Sequence, residues 1–179
     1  MDKKHYVITA VTLGLICAAS GALIGATNLI TKDKIAQNEK NRINSGICEI
    51  YGQNATILED IDKNEAGLTG DYKYVERLYS ISQDGTNSIG YAFRTTGSNM
   101  YGKVSLLVGY LQEGCKFVGT YIVVNEQTYA STLEDNYVVK LNDGSRELDD
   151  VSCGATYGAK LVRDMIKEAG LAAEEIWKD

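Results

Sequence analysis

The chain has 179 residues, 44% of them apolar, which is enough for one ordinary domain with an appendage and for a core that needs no disulfide or metal. The net charge is −6 and the basic residues form no dense stripe, so the composition argues against nucleic-acid binding. The four cysteines form no Cys-x-x-Cys pair and the single histidine is His5, which leaves zinc sites, iron–sulfur sites and a nucleophile–histidine pair without support.

A run of 25 uncharged residues, 6–30, follows a short basic start at residues 1–5. As a helix this run would be about 37 Å long, enough to span a bilayer core with some tilt. A cleaved signal peptide is the alternative, but the run is long and has no clean stop before Lys32. We therefore predict a retained transmembrane helix over residues 6–30.

Small residues recur every four positions from Gly14 to Ala26. This spacing permits close contact with helices of other membrane subunits, although ordinary use of Gly and Ala in a membrane helix explains it nearly as well. The charges give no orientation, because two lysines lie on each side of the run. These are Lys3, Lys4, Lys32 and Lys34.

Residues 31–71 predict a helical stalk followed by an irregular connection. Ile35, Ile43 and Ile47 recur with helical spacing among polar residues. Residues 51–71 are rich in Asn, Asp and Gly, which is typical of loops, with room for a short helix.

From residue 72 the apolar period shortens to two, which indicates strands. A helical period returns from Leu161 to Ala173, after the start of a helix at Thr156. We expect an α+β domain at 72–179, in which helices pack against one face of an antiparallel sheet. The predicted strands are 74–82, 88–95, 103–111 and 116–125, and turns at 83–86 and 112–114 join them in pairs.

A short segment of small residues precedes this final helix and ends at Thr156. The free N–H groups and the dipole of a helix start favour a phosphate, and Gly154 and Ala155 allow the backbone to approach such a group closely. Taken alone, the more common explanation is that Thr156 caps the helix.

The segment from Asp150 to Thr156 resembles the flavinylation motif Asp-x-x-Ser/Thr-Gly-Ala-Thr of extracytoplasmic FMN-binding domains. In that family the last Thr carries FMN through a phosphodiester bond to its hydroxyl. Its members include the G subunit of the Rnf electron-transport complex and the C subunit of the sodium-pumping NADH:quinone oxidoreductase. Asp150, Gly154, Ala155 and Thr156 match the motif, whereas Cys153 stands where Ser or Thr is usual. The resemblance implies FMN bound covalently to Thr156.

The resemblance covers about residues 72–170. The segments 90–93 and 97–102 and the hairpin 104–124 are similar to the family's core in the same order. Gln127-Thr128 resembles a Glu-Thr pair that precedes a Pro-Gly-Leu-Gly loop along the flavin, but residues 129–132 replace that loop here. The stretch from there to Thr156 is short and lacks much of the family's usual helix.

The resemblance also implies which residues contact the cofactor. We expect Cys153 and its motif neighbours at the attachment point, and Asp150 to position the loop or to serve recognition by a flavin transferase. Sheet-face packing is an equally good explanation for the tyrosines among the residues expected near the ring. These residues are Tyr101, Gln127, Thr128 and Tyr157.

By resemblance, the protein is a single-pass cell-membrane protein with residues 1–5 in the cytoplasm and the large domain extracytoplasmic. It would relay electrons through covalent FMN within an Rnf-type ferredoxin:NAD oxidoreductase that translocates Na⁺ or H⁺, as a redox subunit and not as a self-sufficient enzyme. Its partners would be the other membrane and redox subunits, and a flavin transferase using FAD and magnesium for maturation.

Three alternatives stay open. The chain is also similar to the equivalent subunit of a sodium-pumping quinone reductase, or to a stand-alone anchored flavoprotein. The third alternative is a cofactor-free binding or scaffold domain in which Cys153 marks a decayed motif. An extracytoplasmic domain would also permit a disulfide between Cys48 and Cys115, which the spacing alone does not decide.

Overall fold

The computed structural model describes the backbone of residues 3–178 and the side chains of residues 6–178, so part of the predicted segment 1–5 lies outside the described residues. The chain divides into two compact units, Met1–Asn41 and Arg42–Asp179. Helix α1 runs from Lys3 to Tyr51 and contributes to both. This agrees with the helical periodicity predicted for the run 6–30 and for the stalk.

The first unit, Met1–Asn41, contains the apolar run of α1 and the polar residues 31–41 that follow it. Its side chains are exposed from Tyr6 through Lys34, including the large apolar groups of Leu15, Ile24 and Leu29. The described residues include one helix, α1, that is long and apolar enough to cross a membrane. An exposed all-apolar helix of this kind is typical of a membrane span.

The second unit is built on a five-stranded antiparallel meander in the order β1-β2-β3-β4-β5. Four of these strands correspond to the predicted ones, and β3 extends four residues beyond its predicted end, to Asn99. The strands are β1 (Thr56–Asp62), β2 (Val75–Ser82), β3 (Ser88–Asn99), β4 (Gly102–Leu111) and β5 (Lys116–Asn125).

Strand β1 corrects the expectation of an irregular connection over residues 51–71. It pairs antiparallel with β2 along the sheet edge. Its residues Asp60 and Asp62 suggested a loop, but charges are common on edge strands, where they discourage pairing with other chains. Pairing with β2 therefore outweighs the low strand propensity of these residues.

One sheet face packs against helix α4 (Thr156–Ile176). The predicted apolar face of this helix is confirmed, because each of its expected core residues is buried: Leu161, Val162, Met165, Ile166, Ala169 and Ala173. Side chains alternate along β4 as a strand requires, so Leu106 and Val108 face α4 whereas Leu107 belongs to the opposite core.

The other sheet face is covered by the last turns of α1, so the expectation of helices on a single face was wrong. Ile43, Ile47 and Tyr51 are four residues apart and buried against the sheet. The approach is close, since a Cβ on Gly46 would lie 2.5 Å from Tyr121 Cδ1. Arg42 Nη1 also donates to the Val123 carbonyl at 2.7 Å. The end of α1 is thus part of the domain core.

Residues 130–142 are helical, although little helix was expected there. They form α2 (Ala130–Leu133), a π-helical turn (Glu134–Val138) and α3 (Val139–Asn142). Leu133 and Tyr137 anchor this segment in the core beside α4. All four cysteines are free thiols. Cys115 packs beside the α4 core, whereas the thiol of Cys48 lies 3.9 Å from the Ala55 carbonyl.

Candidate functional site

The segment that leads to α4 is tied down on several sides. Arg146 Nη1 lies 2.9 Å from the Asp150 carboxylate and donates to the carbonyls of Asp150 at 2.8 Å and Ser152 at 3.3 Å. Lys167 on α4 pairs with Asp149 at 2.5 Å. The segment therefore has a defined path, and Asp150 makes the contacts of a residue that holds this path.

Gly154 makes the last turn before α4. Its φ is +85°, in the left-handed region that L residues with a Cβ avoid. A Cβ at this position would also lie 3.2 Å from Thr132 Cγ2. Glycine is therefore needed here for the turn itself.

Thr156 is the first residue of α4, and Ala155 occupies the N-cap position without a side-chain capping bond. The capping explanation for Thr156 is therefore wrong. Its half-buried hydroxyl makes no hydrogen bond to any residue that the structure describes. The first backbone hydrogen bond of the helix runs from the Ala159 N–H to the Ala155 carbonyl at 2.9 Å. The amides before Ala159 thus lack intrahelical acceptors, as at every helix start.

A cavity of about 210 Å³ adjoins this helix start. Three tyrosine rings stand around it. The Tyr101 ring centroid lies 5.5 Å from that of Tyr157 and 6.4 Å from that of Tyr129, with interplanar angles of 38° and 53°. Tyr129 and Tyr157 are more than half exposed, so the cavity opens to solvent between aromatic rings. The full lining is Tyr101, Gln127, Tyr129, Gly154, Ala155, Thr156, Tyr157 and Gly158.

Gln127 supplies the buried polar wall of the cavity. Its Nε2 donates to Asn99 Oδ1 at 3.1 Å and to the Gly102 carbonyl, which fixes the side-chain amide. Its Oε1 would lie 3.3 Å from a Cβ on Gly158, so it is directed at the first turn of α4. No described residue donates to Oε1, which leaves an acceptor at the cavity wall for a ligand.

Six of the nine predicted site residues line this cavity: Tyr101, Gln127, Gly154, Ala155, Thr156 and Tyr157. Three do not. Cys153 is buried in the core, Asp150 pairs with Arg146, and the Thr128 hydroxyl lies 3.3 Å from the Tyr101 carbonyl. A small side chain at position 153 thus serves packing, which Cys does as a small hydrophobe.

Sequence reasoning missed three residues of the site. Tyr129 and Gly158 line the cavity, and Asn99 bonds to three of its residues. Tyr129 entered the sequence analysis only as part of residues 129–132, which replace the family's loop. Asn99 could have been found from its position, two residues before Tyr101 in a turn between strands, because Asn side chains in turns often bond to the backbone two residues on.

A larger and more open groove of about 710 Å³ lies between α4 and residues 70–74. Two of its carboxylates bind backbone and side-chain groups of the loop before β2 and of the start of β2. Glu175 accepts hydrogen bonds from the Thr69 amide and hydroxyl at 2.6 Å, and Glu168 accepts from the Val75 amide at 3.0 Å. The groove lies where the loop before β2 is held against α4 by these hydrogen bonds. The smaller cavity at Thr156 is therefore the better candidate site.

The comparison with protein families gives one match. Residues 1–46 match the RnfG N-terminal region. No curated protein matches the chain. The match covers most of α1 and supports a resemblance to the RnfG subunit, independently of the segment around Thr156, which it does not reach. An RnfG-like N-terminal region and a helix able to span a membrane together fit a single-pass membrane protein.

Proposed function

We propose that this protein is a membrane-anchored, Rnf-type subunit that carries FMN bound covalently through phosphate to the hydroxyl of Thr156. RnfG proteins bind FMN, and the RnfG-like N-terminal region favours this assignment over the related quinone-reductase subunit. The observation that carries the proposal is the Thr156 hydroxyl itself. It makes no hydrogen bond to the part of the chain that the structure describes, stands on the first turn of a 21-residue helix and borders a cavity walled by aromatic rings.

The residues at the site fit such a group. A phosphodiester keeps one negative charge, which the free amides and the dipole of the α4 start stabilise. The tyrosine rings offer apolar faces to a planar ring, and Gln127 Oε1 offers an acceptor to a ring N–H. Lys160 lies on the first turns of α4 with its ammonium 5.8 Å from the Tyr157 ring, which adds positive charge nearby.

The cavity is smaller than the roughly 300 Å³ at which sites that enclose a drug-sized ligand begin. A flavin attached here would therefore remain partly in solvent, with one edge accessible to neighbouring redox proteins. Covalent attachment then prevents its loss by diffusion. The flavin supplies the redox chemistry, and the protein supplies its place and surroundings.

In the proposed attachment, a flavin transferase moves the FMN part of FAD to Thr156. Thr156 Oγ1 forms a bond to the phosphorus on the FMN side of the FAD pyrophosphate. The bond from that phosphorus to the bridging oxygen breaks, AMP leaves, and the hydroxyl proton passes to a base of the transferase. The chain itself contributes the positioned hydroxyl.

The proposed arrangement puts residues 1–5 in the cytoplasm, the span 6–30 in the membrane and the large domain outside the cytoplasm, beside the other membrane and redox subunits. Electrons would pass through the FMN between these subunits while the complex translocates Na⁺ or H⁺. This part of the proposal follows from the resemblance to RnfG.

The attachment is tested by co-expressing the full chain with a flavin transferase and measuring its intact mass. We expect the wild type and Thr156→Ser to gain the mass of one FMN moiety, because both present a hydroxyl. Thr156→Val, which keeps the shape but removes the hydroxyl, should gain none. Ser152→Ala, four residues earlier in the same loop, is the matched control and should be modified fully. Added mass on Thr156→Val would refute the proposal.

A further inference from the structure

Asn99 makes three hydrogen bonds to residues of the candidate site. Its Oδ1 accepts from the Tyr101 amide at 2.8 Å and from Gln127 Nε2 at 3.1 Å. Its Nδ2 donates to the Tyr157 carbonyl at 3.2 Å. Both ends of one side-chain amide are thus used between residues that line the cavity, although Asn99 itself does not line it.

These bonds join three parts of the fold that are separate in sequence. Tyr101 lies in the turn between β3 and β4, and Gln127 follows the end of β5. Tyr157 belongs to the first turn of α4. Among the described residues, the bond from Asn99 Nδ2 is the one hydrogen bond that connects that first turn to the β3–β4 turn.

The position of Thr156 depends on this connection. Tyr157 is its immediate neighbour, and a hydrogen bond to the Tyr157 carbonyl restrains the first turn of α4 relative to the Tyr101 ring. The same residue fixes the amide of Gln127, whose remaining oxygen is directed at that turn. One side chain therefore links the first turn of α4 to the β3–β4 turn and helps to orient the acceptor of Gln127.

We infer that Asn99 is a positioning residue for the flavin site, which holds the Thr156 hydroxyl and the Gln127 acceptor in register across the cavity. The inference rests on the proposed attachment of FMN to Thr156. Asn99 does not line the cavity, and its described hydrogen bonds go to Tyr101, Gln127 and Tyr157, so it acts through these residues and takes no part in bond making. Its effect is on the fraction of time that the hydroxyl occupies the geometry that the transferase requires.

Two variants separate the two ends of the Asn99 amide. Asn99→Ala removes all three bonds. Asn99→Asp keeps the acceptor for Tyr101 and Gln127 but places a second oxygen against the Tyr157 carbonyl, so it breaks the link to α4 alone. Asn142→Ala is the matched control, because Asn142 also bonds with both ends of its amide, to the Thr120 amide at 2.8 Å and the Thr120 carbonyl at 2.7 Å, away from the cavity.

The measurement is the initial rate at which a flavin transferase modifies each full-length variant, followed by intact mass at increasing concentrations of acceptor protein. We expect turnover at saturating acceptor to fall roughly tenfold or more in both Asn99 variants and to stay at the wild-type value in Asn142→Ala. Thermal unfolding of the unmodified proteins, measured in parallel, reports the loss of stability alone. A purely structural role would reduce the folded fraction and raise the apparent KM without changing turnover.

The outcomes are distinct. Wild-type turnover in both Asn99 variants would overturn the positioning role while leaving the attachment to Thr156 intact. Wild-type turnover in Asn99→Asp alone would also overturn it, since the link to α4 would then be unnecessary. A wild-type protein that gains no mass would refute the proposed function, and the role of Asn99 would fall with it.

Discussion

Thr156 combines three residue-scale properties that are seldom found together. Its hydroxyl is half-buried beside a cavity, it stands at the start of a helix, and it makes no hydrogen bond to the described part of the protein. A Thr that served only the helix would occupy the N-cap and accept from the following amides. Because the chain turns at Gly154, Ala155 occupies the N-cap and Thr156 becomes the first residue of α4.

Gly154→Ala tests the importance of that turn. With φ at +85°, we expect the substitution to lower the free energy of unfolding by about 1 kcal/mol and to slow flavin attachment, because the loop shifts. Gly85→Ala is the control, since Gly85 has φ at +78° with open space around its Cβ position in a distant turn. It should lose similar stability in thermal unfolding but accept flavin normally. Equal attachment rates for both variants would contradict this role of Gly154.

At the scale of elements, the strands and helices that follow from a local sequence pattern could be predicted from the sequence. The alternation in β2 to β5 and the apolar face of α4 are strong periodic signals, and the structure agrees with them. Strand β1 and the covering of the second sheet face by α1 depend on tertiary pairing, which no local pattern reports. At the site, the motif predicts the helix start, whereas Asn99 and Tyr129 become visible only when β3, β5 and α4 are placed together.

The loop before β2 is attached to α4 by a carboxylate, which makes the fold sensitive to acid. Hydrogen bonds from the Thr69 hydroxyl, from the Tyr72 hydroxyl and from the Thr69 amide lower the pKa of Glu175 from 4.5 to about 2. A lowered pKa in the folded state stabilises the protein above pH 4.5 and loses this effect as pH falls toward about 2. The loss of stability that Glu175 causes on acidification is therefore expected well below neutral pH.

We predict that Glu175→Gln lowers the melting temperature at pH 7 and flattens its fall between pH 4.5 and about 2. The measurement is thermal unfolding of both proteins across that range. Glu174→Gln is a suitable control, because Glu174 is exposed and its ion pair with Lys178 is long, at 3.9 Å. If the wild type and Glu175→Gln lost stability in parallel on acidification, Glu175 would not be the group responsible.

At the scale of the whole molecule, the compact unit begins at Arg42, well before the boundary at residue 72 that strand periodicity suggested. The last turns of α1 contribute Ile43, Ile47 and Tyr51 to the core, and β1 covers the edge of β2. Helix α1 thus contributes its apolar part to the first unit and its last turns to the sheet domain.

We predict that a chain starting at Arg42 unfolds cooperatively, whereas one starting at Tyr72 does not fold. The shorter chain lacks the three large buried side chains of Ile43, Ile47 and Tyr51, each contributing about 2 kcal/mol. Their sum is comparable with the whole stability of a small domain, about 5–15 kcal/mol. Circular dichroism during thermal unfolding distinguishes the two. A cooperative transition in the chain that starts at Tyr72 would show that α1 and β1 are dispensable.

Covalent FMN on Thr156 is tested most directly by peptide mass spectrometry of the wild-type protein matured with a flavin transferase. Cleavage after Arg146 and Lys160 releases the peptide 147–160, which contains three hydroxyl side chains, those of Ser152, Thr156 and Tyr157. The predicted result is that this peptide carries the mass of one FMN moiety and that fragmentation assigns it to Thr156. An unmodified peptide, or an FMN assigned to Ser152, would contradict the proposed function.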